Sequence, residues 1–266
     1  MPFSQAIEIV KRKGSKEQQA RLGLILEESQ DTSEIVKFLQ DLQLPEGGFP
    51  YKRKPGNPYC LSPTSMMMKI MAETKLTTKP VCQRTLDFVK SIQHSQGYWD
   101  ENPVLASYNP PFWDQPGQLV TQLWLTGAIA DTLTRLGEGS SPEVKKARAF
   151  LLKYRREDGR FEGPLIVTWL AIAVLAPTRG FDDPIVQSAL AILNQHTDWD
   201  ATDLSWALEC LYWAGAPKDD PVVQHLITAL IALQRPEGHW LSSDDSDDIV
   251  STTLQCLIVL KRFDRI

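Results

Sequence analysis

The stretch Gln93-His94-Ser95-Gln96-Gly97-Tyr98-Trp99 decides how the rest of the chain is read, because it returns as Gln234-Arg235-Pro236-Glu237-Gly238-His239-Trp240. Gln43 to Phe49 and Arg155 to Phe161 are near copies that keep the glycine (Gly47, Gly159) and end on phenylalanine, and Asn194 to Trp199 is a worn one. Glycine supplies the positive φ that ends a helix, and the aromatic two residues later can fold back over the last turn. The motif is therefore a structural staple first.

Working upstream, each copy closes an amphipathic run, and four of these runs open on proline: Lys79-Pro80-Val81, Ser141-Pro142-Glu143-Val144, Asp183-Pro184-Ile185-Val186 and Asp220-Pro221-Val222-Val223. Proline just inside a helix start needs no N–H, and Ser or Asp before it can cap. Downstream, a second and more apolar segment follows each turn, with Val120-Thr121-Gln122, Val167-Thr168-Trp169, Leu204-Ser205-Trp206 and Val250-Ser251-Thr252 in apparent register. Segments such as LIVTWLAIAVLA are apolar nearly all round, as helices buried on two sides must be. Adding pairs at residues 4–29 and 33–75 brings the count to six pairs and uses the whole chain. The expectation is an all-α, α6/α6 toroid over residues 1–266 as a single domain. Inner helices near 60–75, 117–136, 164–176, 201–214 and 247–262 should surround one cavity. An open solenoid of stacked pairs has the same period, but the long insert from Asp100 to Gly117 and the apolar inner helices speak against it.

Composition narrows the function. A formal charge of −5 gives no basic field for a phosphate backbone, which sets nucleic acid aside as a partner. The opening MPFSQAIEIVKRKG has no signal-type apolar run and no segment reaches 18 apolar residues, so a cytoplasmic protein is expected. Cys60, Cys82, Cys210 and Cys256 show no C-x-x-C spacing and read as packed thiols. His94, His196, His225 and His239 are scattered and read as surface or turn residues.

The Gln-x-x-x-Gly-x-Trp turns resemble the QW repeats of squalene-hopene and oxidosqualene cyclases and of protein prenyltransferase β subunits. A prenyltransferase needs Asp-x-Cys and a zinc site, and no cysteine here lies two residues after an aspartate; a thioester protein needs Cys-Gly-Glu-Gln, which is absent. The resemblance that survives is to class II terpene cyclases, and within them to single-domain meroterpenoid cyclases that act on a geranylgeranylated dihydroxybenzoate. It implies a polyprenylated aromatic small molecule as ligand, no cofactor, and peripheral contact with a membrane as an open question. The contrasting readings are a non-catalytic toroid that binds a lipid or a protein, and a prenyltransferase-like subunit.

Class II chemistry starts when a protonated carboxyl gives its proton to an alkene, and it needs aromatic faces around the cations that follow. Trp169 and Trp206 occupy equivalent places in two inner helices, and Trp124 lies nearby. Two places suit the acid. Asp245-Ser246-Asp247-Asp248 matches the Asp-x-Asp-Asp signature, with Asp247 central, although acids before a helix also suit its dipole. The insert Tyr108-Asn109-Pro110-Pro111-Phe112-Trp113-Asp114 sits where the resemblance puts the acid. Asn109 stands nearest that offset, so it is read as the donor position carrying an amide in place of a carboxyl, an inactivated site. Tyr108, Phe112 and Trp113 are expected to give it apolar neighbours.

Overall fold

The computed structural model describes residues 3–242 and 249–266. Among these, twelve α-helices alternate between two concentric rings, and no strand forms. The outer ring is α1 (Ser4–Lys13), α3 (Ser33–Leu42), α5 (Pro80–Ser91), α7 (Pro142–Leu152), α9 (Pro184–Gln195) and α11 (Pro221–Ala232). The inner ring is α2 (Lys16–Ile25), α4 (Leu61–Glu73), α6 (Leu119–Leu133), α8 (Leu165–Arg179), α10 (Ala201–Trp213) and α12 (Ile249–Arg262). The helix starts are those the prolines mark: Ser141 accepts from Val144 N–H, Asp183 from Ile185 N–H and Asp220 from Val222 N–H, each with proline in the first turn.

The repeated turn holds neighbouring pairs together. Gly97 has φ +96°, and a Cβ there would lie 2.5 Å from the Lys146 carbonyl oxygen of α7. Only glycine allows both that dihedral and that approach. Gln93 Nε2 donates to Gly97 O at 3.1 Å and to Glu143 O, at the start of the next outer helix, at 2.9 Å. Trp99 is fully buried and its Nε1 donates to Val89 O at 2.7 Å, as Trp240 Nε1 does to Leu230 O. Burying such a ring is worth roughly 2–3 kcal/mol, while its polar tip keeps a partner.

The same device closes the ring. Gly238, at the last turn, presses on α1, where a Cβ would come within 2.6 Å of Gln5 Cβ. Phe3 stacks on Trp240 with centroids 6.1 Å apart. Inside, α4, α6, α8, α10, α12 and α2 pack in that order. The remaining joint, α2 to α4, is a two-pronged ion pair from Arg21 Nε and Nη2 to Glu73 at 2.9 and 3.0 Å. An open arc is excluded.

Two sequence registers need correction, on α6 and on α12, where Thr253 and not Ser251 holds the place of Thr168. The N–H of the turn aromatic donates to a threonine hydroxyl on the following inner helix: Phe49 to Thr64, Trp99 to Thr126, Phe161 to Thr168 and Trp240 to Thr253, at 3.0 to 3.3 Å. The partner of Thr168 on α6 is thus Thr126, whereas Val120-Thr121-Gln122 aligns by letters alone. The insert lets α6 begin earlier than its counterparts, and Thr121 uses its hydroxyl on Gln115 O at 2.8 Å instead.

Candidate functional site

The inner ring encloses a cavity of about 590 Å³. All six inner helices contribute to its wall. Its open end lies at their N-termini, where Arg53, Phe112 and Trp113 come in from the preceding loops and Asp200 and Asp203 from the first turn of α10. Its aromatic wall is Trp124, Trp169 and Trp206, with Met67, Ile70 and Leu165 between them. Trp169 is 1% exposed; its ring centroid lies 6.5 Å from that of Trp206 and 5.8 Å from that of Trp199. Among the described residues the indole nitrogens of Trp169 and Trp206 have no hydrogen-bond partner.

At the opposite end the floor is charged. Lys69 of α4, Asp131 of α6 and Gln255 of α12 line it. Behind them Glu209 of α10 is 0% exposed, accepts from Arg262 Nη1 at 2.9 Å and Gln255 Nε2 at 2.7 Å, and forms ion pairs with Lys69 Nζ at 2.5 Å and Arg135 Nη1 at 3.0 Å. Arg135 comes from the π-helical turn Thr134–Glu138 that widens the end of α6, and its Nε donates to Asp131 Oδ1 at 2.9 Å. Arg135 and Arg262 both lie over the Trp213 ring, at 5.6 and 5.4 Å from its centroid. Burial opposes the ionisation of Glu209, but Lys69, Arg135 and Arg262 outweigh it and hold its carboxyl far below the usual range. None of this cluster was read from the sequence. The available signal was a lone charge in an apolar run of helix, as in LSWALECLYW and SMMMKIMA, which burial permits only with a partner.

The family profile of the squalene-hopene cyclase C-terminal domain matches residues 17–168. The chain belongs to that family. No curated protein matches it by sequence. Among solved structures, squalene-hopene cyclase-like architecture recurs at low identity. The type II terpene cyclase MstE from Scytonema, in its apo form, is 14% identical, with 98% of this chain and 86% of that chain covered and a TM-score of 0.60. A variant of MstE in complex with geranylgeranyl dihydroxybenzoate, its substrate, is 14% identical over 100% and 87% of the two chains, also at a TM-score of 0.60. A protein from Actinoplanes is 16% identical over 99% and 89%, at a TM-score of 0.64. These likenesses establish the toroid.

Within this squalene-hopene cyclase-type toroid, the residues read from the sequence divide. Phe112, Trp113, Trp124, Trp169 and Trp206 all lie on the cavity wall, with Phe112 and Trp113 at the mouth, 63% and 44% exposed. Trp124 Nε1 donates to Trp113 O at 2.6 Å, which ties the insert to α6. Tyr108 does not reach the cavity; it lies edge-on to Tyr51 with centroids 5.8 Å apart. Asn109 is exposed, has φ +47° and is not part of the cavity wall. The expectation of an apolar surround at position 109 is therefore corrected: the left-handed turn between Tyr108 and Pro110 swings the side chain to the surface, and a carboxyl there would be solvated and ionised. Asp247 lies outside the described residues.

The insert does bury a carboxyl, at Asp114. It is 6% exposed, and its Oδ1 has no hydrogen-bond partner among the described residues. Burial first, and the neighbouring Glu101 second, push it up to about 7. Glu101 itself, 2% exposed, sits at the N-terminus of α4, where it accepts from Leu61 N–H at 2.8 Å and Ser62 N–H at 2.9 Å. Ser62 also lines the cavity, so this acidic pair stands directly behind the wall near its mouth.

Among the described residues no three His, Cys, Asp or Glu side chains are grouped as metal ligands, and no helix is long and apolar enough to cross a membrane. All four cysteines are buried and free.

Proposed function

We propose that the protein is a class II terpene cyclase, acting as one toroidal domain over residues 1–266. It would close the rings of a polyprenyl chain attached to a dihydroxybenzoate-type aromatic acid, without a cofactor. The observation that carries this reading is the hub cavity walled by Trp124, Trp169 and Trp206, whose volume of about 590 Å³ suits a single small-molecule ligand. Indole faces stabilise a passing cation by about 0.5–2 kcal/mol each and offer it no lone pair of the kind water does. The ligand class is drawn from the MstE complex with geranylgeranyl dihydroxybenzoate.

Asp247 is the proposed proton donor, on its Asp-x-Asp-Asp pattern and because the helix that follows it, α12, sets Ser251 and Thr252 on the cavity wall. Asp114 is the alternative, favoured by its buried, partnerless oxygen and a pKa near 7, which suits a general acid at neutral pH. A second reading, a toroid that binds such a lipid without turning it over, is favoured by the ion pairs at the floor and by the exposed aromatics at the mouth.

The deciding experiment is product analysis by mass spectrometry after incubation with geranylgeranyl dihydroxybenzoate. The unaltered chain should give a cyclised isomer of equal mass. Asp247→Asn should lower turnover at least ~100-fold, the scale of a lost general acid, while Asn109→Asp should change nothing. Loss of turnover in Asp114→Asn with Asp247→Asn intact would move the donor to the insert. Binding without product in the unaltered chain would replace the enzyme by the lipid binder. Trp169→Leu and Trp206→Leu should yield truncated or rearranged products; an unchanged product pattern would make both rings packing residues.

A further inference from the structure

Within the group around Glu209 the charges do not balance. Three cations meet there, Lys69, Arg135 and Arg262, and two carboxylates, Glu209 and Asp131. Both oxygens of Glu209 are taken, Oε1 by Arg135 and Arg262 and Oε2 by Lys69 and Gln255. Both oxygens of Asp131 are taken by Arg135. That leaves one positive charge within this group, set against one negative charge where Arg21 beside it is shared by Glu17 and Glu73.

The surplus is presented at one place. The side chains of Arg135 and Arg262 are 2% and 7% exposed and stand behind the wall, whereas that of Lys69 is 17% exposed and on it. The other cations of the cavity are spoken for or solvated: Arg21 is held by Glu17 and Glu73, and Arg53 is exposed at the mouth. An ammonium has three N–H donors, of which Glu209 accepts one from Lys69. The Trp206 ring flanks the ammonium at 5.2 Å from its centroid. The C-terminal ends of the inner helices add partial negative charge, but that influence fades within the last turn, and Lys69 lies a full turn before Glu73, the end of α4.

We propose that Lys69 anchors an anionic group of the ligand, so that the cavity takes an amphiphile head first, with its carboxylate seated on the floor beside Trp206 and its apolar chain rising past Trp169 and Trp124. The assignment rests on the reading of the cavity as a prenyl-lipid site and fixes which way round that lipid lies. At the mouth two carboxylates, Asp200 and Asp203, outnumber the exposed Arg53, so the two ends of the cavity act in one direction. It also places the reacting end of the chain at the mouth, away from Lys69, whose fixed charge would oppose a carbocation.

The test is a titration followed by tryptophan fluorescence, since Trp206 borders Lys69. The probes are geranylgeranyl dihydroxybenzoate and its methyl ester, with the unaltered chain, Lys69→Met and Lys69→Arg. The unaltered chain should bind the acid about tenfold to a hundredfold more tightly than the ester, the scale of one charge-assisted hydrogen bond. Lys69→Met should level the two probes, and Lys69→Arg should keep the preference. Equal binding of acid and ester by the unaltered chain overturns the anchor and leaves the prenyl-lipid reading standing. A preference that survives Lys69→Met overturns it likewise, and failure of both probes to bind overturns the lipid reading and the anchor together. If Lys69→Met does not fold, the acid-to-ester ratio of the unaltered chain and of Lys69→Arg still decides.

Discussion

Two buried carboxyls, Glu209 and Asp114, sit at opposite ends of the same cavity, and burial has opposite outcomes for them. At the floor, Glu209 is fully enclosed yet held ionised by three cations on α4, α12 and the π-helical turn that ends α6. Near the mouth, Asp114 is nearly as enclosed and has only another acid for company, so its proton stays on until about pH 7. Desolvation raises both; the partner decides the sign. Glu209 is thus a fixed charge and Asp114 a titrating one, a division of labour that side-chain type alone would not disclose.

The comparison breaks first, and most heavily, at Glu209. Glu209→Gln leaves three buried cations without their shared anion, and removal of one member of a buried ionic group costs about 3–5 kcal/mol. Chemical denaturation should show a loss of that order. A loss below ~1 kcal/mol would mean that water reaches the floor and that it is not a closed ionic site.

A smaller effect tests the insert. The folded-state pKa of Asp114 stands above its ordinary value of 3.8, so the unfolded chain releases this proton at lower pH than the folded one. Its contribution favours folding most below pH ~4 and is lost as pH rises through about 7. Asp114→Asn removes that dependence, so the stability difference between variant and unaltered chain should move in the variant's favour by on the order of 2 kcal/mol between pH 4 and pH 8. A flat difference would show Asp114 ionised throughout.

The finest probe separates the two causes at Asp114. Removing the charge beside it with Glu101→Gln should lower the Asp114 pKa by less than burial raises it, because burial is the larger cause. Carbon-13 NMR titration of the aspartate carboxyls reads this directly. A return to the ordinary value would make Glu101 the dominant cause and burial the lesser one.

The same contrast explains what could be read ahead of the structure. The toroid was legible because its joints are local: a glycine, a glutamine and an aromatic at fixed spacing, and a proline behind a cap. The aromatic wall was legible too, since Trp169 and Trp206 recur at one repeat position. The floor cluster escaped because it is assembled across helices, and in the insert, which the sequence did single out, the buried member Asp114 was passed over for Asn109. Lys69, Asp131, Glu209 and Arg262 belong to four helices, and Asp114 meets Glu101 only when the insert folds back. Counting residues from Trp99 singled out Asn109, but the left-handed turn after Tyr108 reverses which neighbours face inward.

The seam where Gly238 and Trp240 meet α1 has a bearing on how the ring assembles. Every other joint links segments close in sequence, whereas Gln18 Nε2 reaches Ser251 Oγ at a separation of 233 positions along the chain. Closure entropy grows only slowly with the length of the loop, but contacts between such distant segments wait on everything between them. The five remaining joints can form in passing, each as its pair is made, while the cavity has no floor until α12 brings Arg262 and Gln255 to Glu209. Opening should run the same way in reverse: amide exchange should be faster in α1 and in the Gly238 turn than in α6 and α8, which makes the seam the hinge of a ring that is otherwise stapled at every step.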